Sequence, residues 1–178
     1  MRLGKVAAVL LVASTITAPL SLAYDSPATK LKKAGFSEAD IAIAKKAIEA
    51  ACPSGVNPEA SLTKKVVLNK EKNDEGRYKT ESESFRMEMV ETKDKCFEIL
   101  YADFDYLYDE RAAFYRVDID YFSKPLVFID YPSKYPGGPS RQFSGVIKGF
   151  DVVKYKDSRG IPRTAPHFIV IQEYRKRK

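Results

Sequence analysis

The chain has 178 residues, with 30 Lys and Arg against 24 Asp and Glu, one His, two Cys and no Trp. A single histidine excludes a three-histidine metal site and any mechanism that needs two imidazoles. The positive excess does not describe a basic domain. Two of its charges are Arg2 and Lys5, four lie in the tail Arg175-Lys176-Arg177-Lys178, and the rest of the chain is neutral. A domain-wide nucleic-acid surface is therefore not expected. Charge is instead segregated, with 9 basic and 16 acidic residues over 71–133 and 11 basic and 3 acidic over 134–178.

Val6 to Ala23 carries no charge, and Ser21-Leu22-Ala23 puts small residues where a signal peptidase reads. Residues 1–23 are read as a signal peptide cleaved before Tyr24, which sends the mature protein to the periplasm or outside the cell. Thr15, Thr17 and Pro19 interrupt the apolar run, against a transmembrane anchor. No Cys follows the cut, so no lipid attachment is expected. In an oxidising compartment Cys52 and Cys96 pair. The bridge closes about 45 residues and stabilises by about 4 kcal/mol through chain entropy. Their separation fits no metal site.

Residues 24–36 are polar and expected to be loosely ordered. Ser37-Glu38-Ala39-Asp40 reads as a helix start, because the Ser hydroxyl and the Asp carboxylate can cap free amides. Ile41, Ala44, Ile48 and Ala51 form an apolar stripe at helical spacing, and Pro53 and Gly55 end the helix. From Leu62 the period changes to two. Strands are expected near 62–70, 77–92, 96–108, 111–122, 126–132, 142–156 and 167–174. The turns between them are short and polar, which implies antiparallel neighbours.

A two-residue turn at Asp109-Glu110 sets Tyr106 opposite Ala113, Phe104 opposite Tyr115 and Ala102 opposite Val117. A two-residue turn at Asp94-Lys95 adds Phe85, Met87 and Met89 to the same apolar face. A three-residue turn at 123–125 adds Val127, Ile129 and Tyr131. Cys96 falls on this face, where a packed helix would bring Cys52 to it. The opposite face carries Asp103, Asp105, Asp118, Asp120 and Asp130, with Asp118 opposite Asp130 and with Arg86, Asp103 and Arg116 in a row. Opposed carboxylates suit a cation or an acid/base pair; a solvated face crossed by ion pairs, with Lys148, Lys154 and Lys156 nearby, is the simpler expectation.

No catalytic constellation is evident. Phe143-Ser144-Gly145 lacks the first glycine of a nucleophile elbow, and His167 sits alone at the start of the last strand. No metal and no cofactor are expected. Tyr135, on a loop stiffened by Pro and Gly and flanked by Lys134 and Arg141, suits an anionic or protein partner. The tail 175–178 could touch an anionic surface by charge.

These features describe one α+β domain over 37–174: a helix packed on a curved antiparallel sheet of about seven strands, or alternatively a closed small barrel of calycin or OB type. The expected function is that of an exported binding or accessory protein without catalytic activity. Its partner would be a protein, an apolar ligand or an anionic envelope polymer. The alternative is an exported hydrolase or metal-dependent enzyme built on Asp103, Asp118, Asp120 and Asp130.

Overall fold

Two helices precede the strands, α1 (Pro27–Lys33) and α2 (Glu38–Ala51). The computed structural model describes residues 25–75, 78–119, 123–135 and 137–176. The expected signal peptide, Asp120, Arg177 and Lys178 lie outside that range. Ser37 caps α2 with the expected reciprocal bonds to Asp40, and Ile41, Ala44 and Ile48 are its buried face. α1 replaces the expected loose segment. Ser26 caps it, Pro27 supplies a preset first turn, and Leu31 is buried. Lys30 of α1 reaches the buried Glu98 at 3.0 Å, and Glu98 also accepts the Tyr174 hydroxyl.

Eight strands follow: β1 (Val56–Pro58), β2 (Thr63–Glu75), β3 (Tyr78–Met89), β4 (Cys96–Leu107), β5 (Ala112–Val117), β6 (Leu126–Asp130), β7 (Gln142–Lys156) and β8 (Pro162–Glu173). The main sheet is mixed, not antiparallel throughout. Its six strands run in the order β1-β4-β5-β6-β8-β7, with β1–β4 and β6–β8 parallel. β4 also pairs with β7, so the ladder returns to a strand it has already used. The neighbours β7-β4-β5-β6 are a Greek key, and β8 lies between β6 and β7.

Three registers differ from expectation. First, β3 pairs with β2 in a separate ribbon, not with β4, so Phe85 lies opposite Val67 and Arg86 opposite Val66. Residues between β3 and β4 bond to β7 instead of closing a hairpin. Asp94 takes a positive φ of 60° and donates its N–H to Gly149 O at 3.0 Å, and Gly149 donates to Lys95 O at 2.9 Å. Arg86 pairs with Glu88 on its own strand, so the expected row of Arg86, Asp103 and Arg116 does not form.

Second, β5 and β6 pair six residues away from the expected register, with Arg116 opposite Leu126 and Ala112 opposite Asp130. Val117 N bonds Pro125 O and Ile119 N bonds Ser123 O, so Ser123 and Pro125 belong to the pairing and not to the expected turn at 123–125. A six-residue shift is even and keeps every side chain on its face. Val127, Ile129 and Tyr131 are therefore buried as expected, but Asp118 no longer opposes Asp130.

Third, β4 obeys the expected register only from Ala102 to Phe104. A bulge between Phe104 and Tyr106 then sets Tyr106 opposite Phe114. Another irregularity, between Ile99 and Ala102 on the β7 side, reverses the parity upstream. Phe97 and Ile99 thus join Ala102, Tyr115 and Val117 in the main core, whereas Cys96 faces the helices. The helices cover the other side of the sheet from that core. The Cys52–Cys96 disulfide forms there, with a Cα separation of 5.8 Å, tying α2 to β4.

Candidate functional site

The bulge in β4 has a consequence for the opposite face. By turning Tyr106 outward, it completes a row of rings across the strands. Tyr106, Phe114, Phe128 and His167 are successive cross-strand partners on β4, β5, β6 and β8. Their ring centroids stand 4.4, 5.0 and 5.0 Å apart, and Phe150 of β7 lies 5.4 Å beyond His167. Tyr108 packs on Phe128 at 5.2 Å and Tyr155 on Phe114 at 5.0 Å. Phe114 is fully buried, while Tyr106 is 37% exposed and Tyr108 and Phe150 more so.

The β7–β8 hairpin covers the middle of this row, and its Val153, Tyr155 and Ala165 pack on Ala112 and Phe114. Between that hairpin and β4–β5 lies a cleft of about 480 Å³. Tyr106 and Tyr155 supply its rings, Leu126 its apolar wall, and Asp105, Arg116 and Lys156 its charge. Arg116 donates to both oxygens of Asp105, at 3.2 and 3.3 Å. Asp157 and Ser158 complete the rim. Asp157 accepts N–H bonds from Arg159 and Ile161, both at 3.0 Å, and pairs with Arg163 at 3.3 Å. Those backbone bonds, that of Ile161 foremost, hold its carboxyl below the ordinary range. Lys156 makes no ion pair among the described residues. Burial raises the Tyr106 phenol, and Tyr155 and Asp105 add to it. A second concavity of about 680 Å³ shares Leu126 and Tyr155 with the cleft and runs on toward Met87 and Met89.

His167 is the inner end of the row. Its Nε2 is buried and stands 4.0 Å from Asp130, beyond hydrogen-bond reach. Burial lowers its pKa, while Asp130 and Asp151 pull it up.

The residues singled out from sequence lie elsewhere. The Tyr135 hydroxyl donates to Ile171 O at 2.9 Å and accepts from Glu173 N at 3.3 Å, and Lys134 donates to the same carbonyl at 2.9 Å. The 133–140 loop is thus laid against β8, and Arg141 is exposed beside it. Asp118 pairs with Lys124 at 3.4 Å, and Asp103 accepts from Tyr101 at 2.7 Å. Neither is near His167 in the pairing, and no group of three His, Cys, Asp or Glu suited to a metal forms among the described residues. In the tail, Lys176 donates to Gly35 O at 3.4 Å and Arg175 is exposed. A third concavity, an apolar groove of about 310 Å³, lies between α1 and α2.

The aromatic row was missed because Phe114 and Phe128 alternate with core residues and look like spare apolar positions in sequence. The signal is the ring on each strand's outward side, but aligning them needs the bulge. No protein-family model matches the chain, and no curated protein or solved structure matches it.

Proposed function

We propose that the chain is an exported binding or accessory protein without catalytic activity, and that its ligand seat is the cleft between Tyr106 and Tyr155. In this account residues 1–23 are a signal peptide and the mature protein starts at Tyr24. The five strands β4-β5-β6-β8-β7 form a small Greek-key barrel, and the ring-lined outer face is presented for binding. The carrying observation is the row Tyr106-Phe114-Phe128-His167, buried in its middle and open at Tyr106. Rings held rigid by one another contact a ligand at little entropic cost. The cleft has the volume of small-ligand sites, and its mostly polar lining residues suit a polar ligand.

The separation of Asp103, Asp118 and Asp130 favours binding over hydrolysis, since Asp103 and Asp118 are each engaged by a different neighbour, Tyr101 and Lys124, and Asp130 lies apart from both. No helix among the described residues is long and apolar enough to cross a membrane. The chain lacks Trp, so ligand panels can be screened by tyrosine emission. A ligand found in this way should bind Tyr155→Ser at least tenfold more weakly. Equal affinity for the variant and the wild type would put the seat elsewhere. Intact mass of the exported protein should correspond to a start at Tyr24; retention of Met1 contradicts export with cleavage.

A further inference from the structure

We propose that the cleft takes a carboxylated oligosaccharide, laid across Tyr106 and Tyr155 with one sugar carboxylate on Lys156. The inference rests on the binding seat proposed above and names its ligand class. Tyr106 is stacked on Phe114 with 19° between the planes, which leaves its other face outward for the C–H face of a sugar ring. Tyr155 stands on the other side of the cleft, against the same Phe114. Both tyrosines line the one cleft, so two phenols serve one space.

The carboxylates around these rings are held by arginines. Asp105 is held by Arg116, and Asp157 by Arg163, by Arg159 at 3.7 Å and by two backbone amides. Such groups still offer donors and acceptors to hydroxyl groups. A nucleic-acid strand needs a series of free cations along its phosphates, and Lys156 supplies one. A proline-rich peptide brings rings but no N–H donors, so Asp105 and Asp157 would be covered without new bonds. A sugar chain answers both the rings and the hydroxyl-bonding groups, and a carboxylate answers Lys156. The second concavity continues past Leu126 and Tyr155, which suits a chain more than a single ring.

The test is calorimetric titration of the mature protein with hexagalacturonate, cellohexaose, hexaproline and a dT hexamer. Hexagalacturonate should bind most tightly, and Lys156→Gln, an exposed change, should weaken it about 2- to 5-fold while leaving cellohexaose unaffected. Equal binding of both saccharides, with no effect of Lys156→Gln, overturns the carboxylate. Binding of hexaproline or the dT hexamer alone, weakened by Tyr155→Ser, overturns the saccharide class but leaves the seat standing. Silence from both saccharides overturns the saccharide class, and a ligand of any other class that ignores Tyr155→Ser overturns the seat as well.

Discussion

Replacing Lys30 by Met should destabilise the protein by about 3 kcal/mol, through one carboxylate. Glu98 is 4% exposed at its side chain and Lys30 15%, with Nζ 3.0 Å from Oε1. Tyr174 gives the same carboxylate a hydrogen bond, and the Lys30 ammonium lies 5.9 Å from the Tyr174 ring centroid. Removing one member of a buried pair costs about 3 to 5 kcal/mol, because the other charge stays buried without its partner. The low end applies here, since Tyr174 remains and Lys30 keeps some access to water. Replacing both residues, Lys30→Met with Glu98→Leu, removes the stranded charge and should recover most of the loss. The pair should therefore show a coupling of about 2 kcal/mol in a double-mutant cycle. The assay is urea unfolding at pH 7 with the disulfide intact. Additive losses, or a single-variant cost below about 1 kcal/mol, would show that Lys30 and Glu98 are solvated and that α1 is held by Leu31 alone.

Three further outcomes follow from particular contacts. Gly149→Ala places a Cβ into the carbonyl of Thr92, backbone that cannot rotate away, so it should lower the melting temperature by several degrees; an unchanged melting curve contradicts the docking of 91–95 on β7. Replacing Cys52 and Cys96 together by Ser should cost up to about 4 kcal/mol by loop entropy, read from urea midpoints, and a loss near zero would mean the bridge is absent. Burial lowers the His167 pKa, so the unfolded chain binds its proton more readily. Its contribution is then complete above about pH 6.5 and is lost as pH falls through the folded value. His167→Phe should lose less stability than the wild type between pH 7.5 and 5, and parallel pH profiles would remove His167 from the acid response.

Much of the frame was readable from local chemistry. The capping box at Ser37 and Asp40, the stripe Ile41-Ala44-Ile48 and the limits of β7 depend on neighbours in sequence. The inward set of β5 and β6 survived a six-residue error because side-chain direction repeats every two residues. Pairing partners were not readable in the same way. β3 has the alternation of a hairpin partner for β4, yet Asp94 and Gly149 divert the connection. Ser26 and Pro27 are local start signals for α1, but its docking through Lys30 on Glu98, 68 positions away, is not readable from residues 24–36. The two irregularities in β4 decide which face Cys96 and Tyr106 take, and no glycine within β4 marks either; only Gly145, on the partner strand opposite Ile99, stands beside one of them. The cleft was illegible for the same reason, because Tyr106, Arg116 and Tyr155 meet only after the bulge and the β7–β8 hairpin are in place.

The claim that the cleft is the ligand seat is tested most directly by 3-fluorotyrosine NMR during titration with hexagalacturonate. Tyr106→Phe and Tyr155→Phe assign the two cleft signals, and Tyr135→Phe assigns the ring laid against β8. The account predicts that Tyr106 and Tyr155 shift with saturation while Tyr135 stays fixed. Movement of Tyr135 with both cleft signals still would contradict it and return the 133–140 loop as the binding surface.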